Sequence, residues 1–150
     1  MDKMSVDSFW EEFLNDYPEY KNKTYSAWEF GVDATKLSEL VKEGVKTAST
    51  SPFRLYAIDG EELPKVNDLS IVLDGSEKPV CVIEHKKVYQ VPFKDVTKEH
   101  AFKEGEGDKT LEYWRREHYK FFIPLFESYD LEFTDDDIMV CEEFECLFSK

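Results

Sequence analysis

One short stretch holds the densest chemistry in the chain: Gly44-Val45-Lys46-Thr47-Ala48-Ser49-Thr50-Ser51, a single lysine among four hydroxyls. A lysine in such company can hold an anion, polarise a carbonyl or activate a hydroxyl as a nucleophile. Acyl chemistry also needs an acid. The second stretch of interest offers three, in Glu104-Gly105-Glu106-Gly107-Asp108, followed by Trp114, Arg115 and His118. An arginine and a histidine on an apolar helix face require polar partners if they are buried, and these upstream carboxylates are the obvious ones. The same residues also admit an architectural reading, in which Lys46 and Glu104 form a structural ion pair and the hydroxyls satisfy a backbone bend. A buried ion pair is costly to form, which weighs towards function.

The elements that must position these residues follow from periodicity and caps. Ser5 or Asp7 caps a first helix with the stripe Phe9, Trp10, Phe13, Leu14 and Tyr17, ended by Pro18. Residues 19–30 read as an irregular connection rich in rings, of which Trp28 is a candidate to stack on a planar ligand. Asp33 caps a second helix whose Leu37, Leu40 and Val41 face inward, and Gly44 suits its left-handed end, so the helix delivers the chain directly into Lys46. A regular strand after it would put Lys46, Ala48 and Thr50 on one face and Thr47, Ser49 and Ser51 on the other. Lys46 and Ser49 therefore share a site only if the chain is irregular there.

Further on, a short helix is expected near residues 52–57, a strand over 69–73, a hairpin turn at Asp74-Gly75-Ser76 and a long strand over 79–91. Asp95 or Thr97 caps a short helix on which His100 faces solvent, Asp108 caps the helix of residues 109–122, and a closing strand covers 138–147. His85-Lys86-Lys87 reads as a solvated strand face.

Composition narrows the function classes. At 150 residues the chain is one ordinary domain, and 41% hydrophobic residues mark a packed core. A formal net charge of -14 repels phosphate polymers, so any nucleic-acid contact must be local. The N-terminus lacks the pattern of a secretion signal, no apolar run is long enough to span a bilayer, and three cysteines do not suggest a disulfide framework; a cytoplasmic location is expected. Neither a cofactor motif nor a recognised metal-binding loop is present, so no cofactor and no metal are expected.

Gly44-x-Lys46-Thr47-Ala48-Ser49 resembles the G-x-K-x-x-T/S signature of the ASCH domain, a relative of the PUA fold. Glu104-Gly105-Glu106-Gly107-Asp108 with Trp114-Arg115 and His118 is similar to the larger bacterial branch of that family, usually described as RNA-binding. Phe30-Gly31, residues 64–70 and Pro92-Phe93 fit as well, so the resemblance runs from about Trp28 to the C-terminus. It implies an α+β fold: a small PUA-like, curled, antiparallel β-barrel flanked by helices in a single domain over residues 1–150, with an N-terminal helical extension at about 1–30. A smaller branch hydrolyses N-acetylated cytidine with a lysine, a threonine three residues later and a glutamate, a pattern that falls on Lys46, Ser49 and Glu104, with serine replacing threonine. The implied reading is a cleft around Lys46 that binds a nucleoside, a nucleotide or an RNA-derived ligand. In it Ser49 attacks an amide, Lys46 as the neutral amine accepts its proton and Glu104 protonates the leaving amine. Trp28, Thr47, Ser51, Glu106, Asp108, Arg115 and His118 would contact the ligand. The alternatives are a non-catalytic RNA-binding module and a ribonuclease.

Overall fold

A computed structural model describes residues 5–150; the first four residues of the expected helical extension lie outside the described residues. Helix α1 spans Val6–Asp16, and the Ser5 side chain accepts from the Ser8 amide at its start. Phe9, Trp10 and Phe13 are buried, and with them α1 lies against Leu69, Ile71 and Val82 of the sheet. Residues 19–30 are more ordered than expected. A single helical turn, Pro18–Tyr20, leads to strand β1, Ser26–Glu29, which pairs parallel with β3, Leu69–Leu73. Four residues without clean alternation carry no strand signal alone; the neighbour forty-odd residues away supplies the hydrogen bonds.

Helix α2 spans Ala34–Lys42, with Asp33 as N-cap, and β2 is Ala48–Pro52. A short helix α3, Phe53–Asp59, follows. Strand β4, Pro79–Pro92, and strand β5, Ile138–Ser149, form the long antiparallel centre. The five-stranded sheet has the order β1-β3-β4-β5-β2, and only the β1-β3 pair is parallel. Register shifts at Val82/Ile83 and His85/Lys87 mark where β4 bends, so the sheet curls into a half-barrel.

The two sheet faces bury different elements. Val41 of α2 packs with Val72, Cys81, Ile83 and Phe144, and Trp28 and Phe30 lie against this cluster. The larger core gathers Phe93, Trp114, Phe122, Phe126, Met139 and Cys141. Helix α4 spans Lys98–Glu104 and is capped by Thr97, one of the two expected caps. Helix α5 spans Leu111–Glu127, begins later than expected, and continues through Pro124. Its N-cap is Thr110, whose hydroxyl accepts from the Tyr113 amide, and Asp108 instead accepts from the Thr110 amide and hydroxyl. A hydroxyl two residues closer to the helix takes the cap, and the aspartate fixes that hydroxyl. The three cysteines carry free thiols.

Candidate functional site

Lys46 sits between two helix ends. The amides of Val45 and Lys46 both donate to the Leu40 carbonyl, closing α2, and the Thr47 amide donates to the Lys103 carbonyl of α4 at 2.7 Å. Gly44 has φ +79°, the left-handed turn that a glycine makes at least cost. Gly105 has φ +70°, and a Cβ there would stand 2.3 Å from the Val45 carbonyl oxygen. That close approach presses the Glu104–Glu106 segment against the Lys46 segment. The irregular chain just before β2 is what brings Lys46 to the same hollow as Ser49.

The lysine is 2% exposed, and its ammonium has three acceptors: Glu106 Oε2 at 2.7 Å, Glu104 Oε1 at 3.1 Å and the Glu104 carbonyl at 3.4 Å. The Phe30 ring lies under it, 5.3 Å from the centroid. Glu104 is equally buried. Its Oε2 accepts from Trp114 Nε1 at 2.5 Å and from the Thr50 hydroxyl at 2.6 Å, and His100 Nε2 is 3.1 Å away. His118 stacks on Trp114 and brings Nε2 to 3.8 Å from Glu104 Oε1.

Charge follows from these contacts. Burial pulls the Lys46 ammonium towards neutrality, but the Glu104 and Glu106 carboxylates outweigh it and hold the pKa above its usual value. Burial likewise pushes Glu104 up, and Lys46, His100 and His118 overcome it, holding the carboxyl well below its ordinary range. Burial lowers His100, yet Cys141 and Glu104 raise it to about 9. At neutral pH the floor is thus an ammonium, an imidazolium and carboxylates. The resting charges thus differ from those expected: Lys46 is held as the ammonium, not the neutral amine, and Glu104 is held ionised.

Above this floor opens a cleft of about 600 Å³, lined on its apolar side by Phe30, Leu37, Leu40, Tyr113 and Phe121 and on its polar side by Ser49, Thr50, Ser51, Glu106 and His118. Its volume falls in the range of small-molecule sites. Among the described residues, no three His, Cys, Asp or Glu side chains are arranged to hold a metal ion.

Of the residues singled out from sequence, Lys46, Ser49, Ser51, Glu104, Glu106 and His118 meet at this cleft. Four others do not. Trp28 packs edge-on against Phe30 in the sheet core. The Thr47 hydroxyl donates to the Lys103 carbonyl. Asp108 holds Thr110, and Arg115 donates to the carbonyls of Phe93, Lys94 and Val96, so it secures a turn of backbone instead of an acid. Two residues of the site were not assigned to it from sequence. His100, expected in solvent, is 1% exposed; its spacing of four from Glu104 on one helix was the available signal. Thr50, which a regular strand pattern would put on the same face as Lys46, is the hydroxyl that reaches Glu104.

A family model described as ASCH domain matches residues 26–147. The crystal structure of an ASCH domain from Lactobacillus crispatus superposes with a TM-score of 0.87 at 32% identity, covering 93% of this chain and 92% of that one. A protein from Enterococcus faecalis gives 0.83 at 33% identity, covering 95% and 87%. A hypothetical protein of known structure shares the fold alone, with a TM-score of 0.55 at 17% identity over 83% of this chain and 100% of that one. No curated protein matches the chain.

Proposed function

This chain belongs to the ASCH domain family, and from that premise we propose that the cleft above Lys46 and Glu104 binds a nucleoside-sized ligand and hydrolyses an acyl group from it. The observation that carries the reading is a cation, a carboxylate and a hydroxyl in hydrogen-bond contact on a buried floor beneath a cleft of small-molecule size. The apolar wall from Phe30 to Phe121 receives the base, and the charged floor receives the reacting group.

The charges assign the roles. The Lys46 ammonium polarises the acyl carbonyl and stabilises the oxyanion as it forms. Glu104, ionised, accepts the Thr50 hydroxyl proton across 2.6 Å as the oxygen attacks the carbonyl carbon. The same carboxyl then returns that proton to the leaving amine, and water releases the acyl group from Thr50 in a second step of the same form. Ser49 keeps the spacing from Lys46 that the family resemblance implies and stands beside Thr50 as the other candidate hydroxyl. Trp114 and His100 hold Glu104 in place.

The test is release of cytidine from N4-acetylcytidine. Turnover that disappears in Lys46→Ala and in Glu104→Gln supports the reading; absence of turnover in the wild type removes its hydrolytic part. A second reading, binding of a nucleotide or of a splayed base of RNA, draws on Lys36 and Lys120 at the cleft rim, where a phosphate would meet them. RNA affinity with a steep salt dependence, lost on Lys36→Ala/Lys120→Ala, favours it.

A further inference from the structure

The ammonium of Lys46 has three N–H groups and three acceptors, all from the protein. No fourth acceptor can be added. A ligand that uses Lys46 must therefore replace one already there, and the three are not held alike. The Glu104 carbonyl is main chain at the end of α4. The Glu104 carboxylate is tied by Thr50, Trp114 and His100, and its side chain is 3% exposed. Glu106 faces the cleft with its side chain 28% exposed, and the Lys46 bond is the single hydrogen bond its carboxylate makes to the described residues. Its backbone is fixed: Gly105 and Gly107 both have positive φ, and a Cβ on Gly107 would stand 2.2 Å from the Tyr113 ring. Only its side chain is at liberty to turn.

Resting on the reading given above, we infer that the Glu106 carboxylate stands in the place where the substrate's oxygen binds Lys46, and that substrate takes that place by turning Glu106 aside. Glu106 is then a specificity-determining residue. Because the incoming group replaces a carboxylate in an ion pair of 2.7 Å, the site selects oxygens that are charged or strongly polarised: an acyl carbonyl approaching its oxyanion, or a carboxylate. Ligands whose only polar groups are N–H donors leave Lys46 with Glu106.

Two measurements test this. In a Thr50→Ala background that prevents turnover, Glu106→Gln replaces the charge-assisted bond by a weaker amide contact, and N4-acetylcytidine binds roughly tenfold tighter by calorimetry. Equal or weaker binding overturns the inference and makes Glu106 a direct ligand contact. Independently of any nucleoside, Glu106→Ala leaves the subsite open to a small carboxylate: sodium acetate raises the Tm of Glu106→Ala by several degrees over a sodium chloride control and leaves the wild type unmoved. Equal response of the two proteins to acetate overturns the inference. Acetate rescue without nucleoside binding upholds the subsite and removes the nucleoside reading instead.

Discussion

Two buried histidine–carboxylate pairs lie on the sheet and its flanking helix, and only one belongs to a cleft. His85 Nδ1 stands 2.7 Å from Glu142 Oε1, with His85 Nε2 beside the Ser70 hydroxyl at 3.3 Å. His100 and Glu104 are 3.1 Å apart. By burial the two are alike, with His85 at 4% and His100 at 1% exposure. They differ in what surrounds them. The first is closed over by Ser70 and the Phe144 ring, and neither member lines the cleft. The second adds a buried ammonium, a threonine hydroxyl and about 600 Å³ of accessible space. Burial and pairing are therefore not enough to mark a site; the buried cation and the adjoining cleft are what set Glu104 apart from Glu142 as a candidate.

The contrast is sharpened by substitutions. Lys46→Ala has the largest effect, because it removes the buried cation that pairs with both Glu104 and Glu106: a loss of about 3–5 kcal/mol in urea unfolding, together with loss of cytidine release. Thr50→Ala comes next and separates chemistry from architecture. It lowers turnover by roughly 10²–10⁴-fold while costing about 1 kcal/mol of stability, and Ser49→Ala has a smaller effect on turnover. Glu142→Gln in the other pair costs about 1–3 kcal/mol and leaves N4-acetylcytidine turnover at the wild-type level. An activity loss in Glu142→Gln equal to that of Thr50→Ala would erase the distinction.

The smallest effects appear against pH. Glu104 is held below its ordinary range, so its contribution to stability is complete above the usual carboxylate pKa of about 4 and is lost as pH falls through its lower folded value. Glu104→Gln removes that part of the acid transition. His100 is raised to about 9; its contribution is complete below its unfolded value of about 6.5 and is lost as pH rises from there through about 9. His100→Asn flattens stability over that window.

Much of the fold was legible because its signals are local. Asp33 is a cap that the sequence declares by residue type, Ser5 and Thr97 were each one of two candidates, and the strand at Leu69–Leu73 follows from its apolar run and the turn after it. Strand β1 was not legible, since its reason to exist is the parallel partner β3. The site divides the same way. Lys46, Glu104 and Glu106 stand out by type, but Arg115 gives no sign in sequence that its partners are backbone carbonyls. The charge on Lys46 was hidden for a similar reason. Burial alone predicts a neutral lysine, and only the distances to Glu104 and Glu106 reverse that.

The most direct test is a crystal structure of Thr50→Ala with N4-acetylcytidine. The base is expected against the Phe30–Phe121 wall, the acyl oxygen within hydrogen-bond distance of Lys46 Nζ, and the Glu106 carboxylate turned away from the lysine. A nucleoside seated elsewhere on the molecule, with the Lys46–Glu106 pair intact, would contradict this arrangement.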